Sequence, residues 1–425
     1  MRGSMRGQRF AWCLFDFANS AFNTVVITFV FPQFFVRVLV DDAAKGDVWW
    51  ARAMALSGLL VALLAAPCGA RADQRAGKRR WLATLTLIVV GATAALAWAA
   101  PDPALGRASD ATLLWTLLLV VVANVAFELA FVFYNAFLPE LAPPDRVGRL
   151  SGQGWAFGYV GGLACLVLGL GVVGIDGLGP WVSTDAHWNV RATNLLVAAW
   201  FAVFALPMLL FVRDRPPPVT GVSPRSSWRA VLATLRELPQ RSALLRFLVA
   251  HLIYNDALMA LITLAGLYMA GTLGMTTEGI MAMGIGLNVV AGFGAWGFGH
   301  VDDRIGPRAA VLWSLGLLTA GGVLAIAVPT VPGFALAAAL VGIGMGPNQA
   351  ASRSLLVRLV EPGRQAEYFG LLSMSGKATV WIGPLLFAIV REWTDSQRAA
   401  FVPLIAMFAL GFALMWSVRM PGGKR

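Results

Sequence analysis

Charge is scarce in this sequence. Only 13% of its 425 residues are Asp, Glu, Lys or Arg, while 58% are hydrophobic and the mean hydropathy is +0.71. Soluble domains carry roughly 25% charged residues and need them to cover their surface. A water-exposed globule is therefore excluded, and much of the surface must face a lipid bilayer. Lysine is limited to Lys45, Lys78, Lys377 and Lys424. Cysteine is limited to Cys13, Cys68 and Cys165, whose spacing suits neither a metal site nor a redox pair. Each lies in or beside an apolar run and reads as a packing residue. No metal and no other cofactor is expected. Zinc, hydrolase and kinase signatures are missing, so an enzyme is not expected. Gly370 to Lys377 ends like a phosphate-binding loop, but five residues separate its glycines instead of four, and Ala follows the Lys. A cleavable signal peptide is not expected either, because the first apolar run is too long and holds Asp16, Asn19 and Asn23.

What remains is a series of apolar runs, each about 20 residues or longer. Twelve can be drawn, at 11–38, 49–70, 81–100, 111–138, 151–174, 191–212, 246–271, 279–300, 308–329, 333–357, 367–390 and 398–418. Pro32 predicts a kink in the first. The net charge of +11 would suit nucleic acid, but the basic residues sit in short loops between these runs. Placing the N-terminus inside puts 25 of the 33 Lys and Arg on the cytoplasmic side and seven outside, with Lys377 inside a span. Positive residues favour the cytoplasmic face, so both termini are expected there. Trp49, Trp50, Trp181 and Trp188 then suit an outer interfacial belt.

Spans six and seven are separated by the longest polar segment, 213–245, rich in Arg and opened by Pro216, Pro217 and Pro218. Within it, Ser227 can cap a helix with Trp228, Val231, Leu232, Leu235 and Leu238 on one side and Arg229, Arg236 and Glu237 on the other. That pattern predicts a helix on the inner membrane surface.

One short motif occurs twice, about 230 residues apart by count along the chain. The first copy is Gly69-Ala-Arg-Ala-Asp73-Gln-Arg75-Ala-Gly77-Lys78; the second is Gly299-His-Val-Asp302-Asp303-Arg304-Ile-Gly306-Pro-Arg308. Each closes one apolar run and opens another. A repeat at this period implies two similar halves, a plan of paired transporter bundles. Asp73 and Asp303 are placed to hold the positive N-terminal ends of neighbouring helices, with the adjacent basic residues as latches. Plain anchoring of positive charge inside would explain the Arg residues but not the spacing of Gly and Asp.

Six plus six spans, a basic central linker and this motif after spans two and eight resemble the major facilitator superfamily. A narrower resemblance rests on four segments. They are Phe15-Asp16-Phe-Ala-Asn19-Ser20-Ala-Phe22; Phe133-Tyr134-Asn135-Ala-Phe-Leu-Pro139-Glu140; Tyr254-Asn255-Asp256; and Ser352-Arg353-Ser354 with Glu367-Tyr-Phe-Gly370, Ser375-Gly376-Lys377-Ala-Thr379 and Gly383-Pro384. Together they resemble the autophagy-related vacuole effluxer family and its bacterial relatives of unknown substrate. The fungal branch is associated with amino-acid efflux, which implies a small solute here. The resemblance also implies that spans one, four, seven and ten line a central cavity.

Those four spans carry polar stripes at helical spacing. They hold Asp16, Asn19 and Asn23; Asn124, Glu128 and Asn135; Tyr254, Asn255 and Asp256 with His251; and Asn348, Gln349 and Arg353. Lys377 lies in span eleven, and Tyr159, beside the repeated Gly154, Gly158 and Gly162, is a further cavity candidate. A charge at the bilayer centre costs at least about 2.5–3.5 kcal/mol on insertion scales, so such residues are expected to act. Glu128 and Asp256 can exchange protons. Two readings stand for Glu128 and Lys377: substrate or proton coupling, or a structural ion pair. Asp256 reads as functional.

The expectation is an all-α membrane protein, with twelve transmembrane helices in two six-helix bundles of the major facilitator fold. Residues 1–212 form the first bundle, 213–245 the cytoplasmic linker and 246–425 the second bundle. The function is secondary active transport of a small solute by alternating access, with a proton or other cation as candidate coupling ion. The setting is the cell inner membrane, and the protein is a monomer with no nucleic-acid partner. The cavity set is Asp16, Asn19, Asn23, Asn124, Glu128, Tyr159, Tyr254, Asn255, Asp256, Asn348, Gln349, Arg353 and Lys377. The gating set is Gly69, Asp73, Arg75, Gly77, Gly299, Asp303, Arg304, Gly306 and Arg308. The rival is a membrane receptor or scaffold on the same fold that transports nothing.

Overall fold

In a computed structural model of the chain, residues 4–40, 42–75, 77–174, 179–214 and 227–420 are described, without the side chains of Arg75, Ser227, Thr277 and Glu278. Linker residues 215–226 and the expected latch side chain of Arg75 lie outside this set. Twelve helical segments among the described residues are long and apolar enough to cross a membrane. They are α1 (Met5–Leu39), α2 (Ala43–Gln74), α3 (Lys78–Leu96), α4 (Asp110–Leu141), α5 (Val147–Val173) and α6 (Asp185–Phe211), then α7 (Ser242–Gly271), α8 (Gly279–Ile305), α9 (Pro307–Ala327), α10 (Val331–Leu359), α11 (Gln365–Thr394) and α12 (Gln397–Trp416). The twelve expected runs each fall on one of them. Most helices outrun their apolar stretch, because backbone hydrogen bonding continues into the polar turns.

Pro32 disturbs α1 as expected, but over more than one turn. It cannot donate to the carbonyl of Thr28, so the helix bends at Val30 and widens into π-helical turns, Phe22–Phe29 and Phe35–Leu39. Val30 donates its N–H five residues back, to Val25, at 3.1 Å.

Two compact units are present. The first comprises Met1–Ala65, Arg75–Phe137 and Phe157–Pro216; the second comprises Ala66–Gln74, Leu138–Ala156 and Pro217–Arg425. In the first unit α1 packs on α6, and α3 packs on α4 and α6. Aromatic residues fill the seams: Trp12 and Phe15 stack on Tyr134 at 4.4 and 5.1 Å, and Phe17 stacks on Trp200 at 5.0 Å. Glycine brings α5 onto α1, since a methyl on Gly161 would overlap the carbonyl of Phe17. In the second unit the same pairings recur six spans later. Span α7 packs on α12, and α9 packs on α10 and α12. A close α8–α10 seam is added, where a methyl on Gly346 would overlap the carbonyl of Ala291. Small residues let backbones approach where lipid gives no hydrophobic drive.

Candidate functional site

The first loop motif ends α2. Gly69 lies so close to the start of α11 that a methyl would overlap the carbonyl of Ala366. Four residues on, Asp73 Oδ2 accepts the N–H of Glu367 at 2.9 Å. Glu367 is in the first turn of α11, whose N–H groups have no intrahelical partner. A carboxylate there is worth about 0.3–1 kcal/mol when exposed and up to about 2 when partly buried. Gly77 ends the turn with an ordinary φ of −123°.

The second motif ends α8 and repeats the arrangement on α5. Gly299 approaches Gly148, with the latter's carbonyl oxygen 3.0 Å from where a methyl would stand. Asp303 Oδ1 accepts the N–H of Arg149 in the first turn of α5 at 3.1 Å, and Oδ2 lies 3.5 Å from the Arg149 guanidinium. Asp302 is a site residue that the motif spacing alone does not mark. It is buried, 3.6 Å from Arg358, and packed so closely on Gly148 that a methyl there would overlap its carboxyl. Gly306 has φ +89°, which favours glycine, and closes the helix for Pro307 to begin α9. Arg304 is exposed. Arg308 reaches α12, where its guanidinium donates to the carbonyls of Met415 and Trp416 at 3.3 and 2.5 Å.

The linker helix forms at Ser227–Glu237. Trp228, Leu232 and Leu235 of its apolar side are exposed, while Val231, Thr234 and, in the following turn, Leu238 are buried. The burial of Thr234 has a polar cause. Thr234 bonds to Glu367, Arg364 bridges Glu237 and Glu367 at 3.2 Å each, and Arg241 meets Glu361 at 2.9 Å. Burial works against the charge of Arg364, but Glu367 and its neighbours outweigh it and hold the guanidinium above its ordinary range. Sequence periodicity carried no signal for this network, because its members lie far apart in the chain.

Among the cavity candidates of the first unit, Asp16 is buried and accepts the Tyr134 hydroxyl at 3.1 Å. Asn19 is buried with no hydrogen-bond partner for its Oδ1. Asn124 donates to Ser57 at 2.8 Å. Glu128 and Tyr159 are half-buried, and Asn23 is exposed.

In the second unit Tyr254 and Asn348 belong to one buried chain of hydrogen bonds. The Tyr254 hydroxyl meets Ser352 at 2.8 Å, Ser352 donates to the carbonyl of Asn348 at 2.6 Å, and Asn348 donates to Ser314 at 3.0 Å. Arg353 is buried against α5, donating to the Ser151 hydroxyl and carbonyl at 3.1 and 2.7 Å and stacking over Trp155. Asp256 is buried and accepts the N–H of Gly383 at 3.1 Å. Asn255, Gln349 and Lys377 are half-buried. A groove of about 410 Å³ on α8 and α10, lined by Val290, Phe293, Gly294, Gly297, Phe298 and Ile343, holds none of these residues.

Residues 144–425 match the family described as Vacuole effluxer Atg22 like, and residues 1–166 match the Major Facilitator Superfamily. The uncharacterized MFS-type transporter YxiO of Bacillus subtilis is 27% identical over 417 residues, covering 96% of this chain and 94% of its own. Autophagy-related protein 22 of Yarrowia lipolytica is 24% identical over 65% of this chain. The chain spans 51% of that fungal protein's length. Among solved structures, the human organic anion transporter MFSD10 (TETRAN) has a TM-score of 0.77 at 16% identity, covering 97% of this chain and 100% of its own. The transporter FucP in the outward conformation has a TM-score of 0.75 at 15% identity, covering 98% and 99%. These likenesses show the fold.

Proposed function

Because the chain belongs to the Vacuole effluxer Atg22 like family within the Major Facilitator Superfamily, we propose that it moves a small solute across the membrane by alternating access. The working parts are two six-helix bundles, 1–212 and 246–425, joined by the linker 213–245. Both termini face the cytoplasm, and the protein works as a monomer in the cell inner membrane. The observation that carries the reading is the paired loop motif. Asp73 takes a first-turn N–H of α11 and Asp303 takes one of α5, so one latch is built twice from one sequence pattern. Latches of this kind bias a two-state equilibrium that a bound solute then shifts by its differential affinity.

Solute contact belongs to the polar residues of α1, α4, α7 and α10 together with Lys377. Amino acids lead the candidates, as the resemblance of the sequence to the vacuole effluxers implies. Glu128 serves proton coupling. The purified protein is screened by thermal shift against amino acids, small peptides and sugars, where ligand at about 100 times Kd stabilises by about 2.7 kcal/mol. A stabilising solute should then cross proteoliposomes down its gradient. Tight binding without flux in either direction would refute transport. Glu128→Gln should abolish the pH dependence of that flux while the protein still inserts.

A further inference from the structure

Span α11 is interrupted. Its halves, Gln365–Thr379 and Ile382–Thr394, are separated by Val380 and Trp381. The sequence supplies the cause. Pro384 has no N–H, so the carbonyl of Val380 loses the donor four residues on. Gly383 directs its N–H to Asp256 Oδ2 at 3.1 Å instead of to the carbonyl of Thr379. Only glycine suits that position, since a methyl would stand 2.7 Å from Cβ of Ala260 on α7.

Asp256 itself is incompletely satisfied. It is 1% exposed, and its second oxygen, Oδ1, is buried without a hydrogen-bond partner. The N-terminus of the half-helix Ile382–Thr394 offers a partial charge of about +0.5 to the carboxylate. That leaves about half a negative charge unmet in a buried place, where an uncompensated ion costs several kcal/mol. Interrupted membrane helices meet such a need with a bound ion held by side-chain and released carbonyl oxygens.

We propose that Asp256 Oδ1, with the carbonyl oxygens released at the α11 break, binds a small coupling cation. The shared chemistry is a single positive charge on Oδ1, carried by a proton or by an alkali-metal ion. The assignment of a coupling role rests on the transporter reading above; the binding site does not. The charged groups on α7 and on the elements packed against it are these. Span α7 carries Arg246 and His251, α11 carries Glu367, Lys377, Arg391 and Glu392, α8 carries Asp302, Asp303 and Arg304 at its end, and Arg398 stands at the start of α12. Span α10 carries Arg353, bonded to Ser151, and Arg358, paired with Asp302, while Val402–Trp416 of α12 carries none. His251 is the neighbour best able to imitate Asp256 in a titration, so the variants must separate them.

The test uses the purified full chain, with melting temperature followed against NaCl at constant ionic strength in choline chloride, and against pH in choline alone. A rise with sodium assigns an alkali ion. A rise on acidification in choline assigns a proton. In Asp256→Asn the wild-type response should weaken at least about tenfold in apparent affinity, equivalent to about 1.4 kcal/mol. Pro384→Ala covers the case in which the Asn variant fails to fold. It returns an N–H to Val380 and lets Gly383 rejoin the helix, which should weaken a sodium response by removing carbonyl ligands. It should strengthen a proton response by removing a hydrogen bond to the charged carboxylate. A wild type indifferent to both ions overturns the proposal, as does an Asn variant or a Pro384→Ala variant that responds like wild type. No transported solute is needed, so failure here would leave the flux test of transport untouched.

Discussion

In the first copy of the loop motif Asp73 takes a backbone N–H of α11; in the second, Asp303 takes a backbone N–H of α5 and also faces the guanidinium of Arg149. Behind Asp303 stands Asp302, buried against Arg358. The corresponding place in the first copy, one residue before Asp73, is the buried Ala72. The copies also end differently. The first has one more residue between Asp and Gly, and Gly77 adopts an ordinary φ; the second is shorter, and Gly306 is forced to φ +89°. The backbone contact is thus the shared part of the motif, while the charges around it and the closing turn are free to vary. The first latch depends more on close approach, the second more on charge.

The comparison breaks most visibly at Arg358. Arg358→Met should strip Asp302 of its partner and leave a buried carboxylate, at a cost of roughly 3 kcal/mol in melting experiments. A variant as stable as wild type would show that Asp302 is already neutral. Gly69→Ala comes next. Alanine gains about 1 kcal/mol of helix propensity, but its methyl overlaps the Ala366 carbonyl, and overpacking costs about 1–3 kcal/mol. The net effect should be a loosened α2–α11 contact, read as faster labelling of a cysteine placed at Ala366. Gly299→Ala, with 3.0 Å to its nearest oxygen, should disturb its contact less, read as a smaller loss of melting temperature than Gly69→Ala.

Asp303→Asn should slow transport while leaving solute affinity within about tenfold, roughly 1.4 kcal/mol, because it acts on a helix end and not on solute. Asp73→Asn should slow it less. Equal effects would remove the distinction between the two latches. The closing glycines divide as their turns do, and Gly77 carries the smallest effect. Gly306→Ala should cost about 1–3 kcal/mol for a backbone region open almost only to glycine, and Gly77→Ala close to nothing by melting.

The spans were legible because a bilayer demands about 20 apolar residues in a row, a signal no soluble context imitates. The motif was legible because Gly and Asp recur at the same spacing. The linker helix was legible as a helix with one apolar side, but the polar contact that buries Thr234 was not. Thr234 looks polar and exposed until Glu367, 133 residues away, provides its partner. Asp256 was legible as costly, yet its partner is a backbone N–H, that of Gly383, a group every residue but proline carries.

The sequence by itself determined the class of protein, the number of spans and the places where glycine and aspartate must meet a helix end. Those follow from one-dimensional quantities: hydropathy, charge asymmetry and repeat spacing. Only the tertiary structure decided which helix end each aspartate meets, that Arg353 is held by Ser151, and that Asp256 stands at a broken helix with one oxygen bare. Hydrogen bonds are formed between groups that packing brings within about 3 Å, and no spacing along the chain encodes which distant groups those will be.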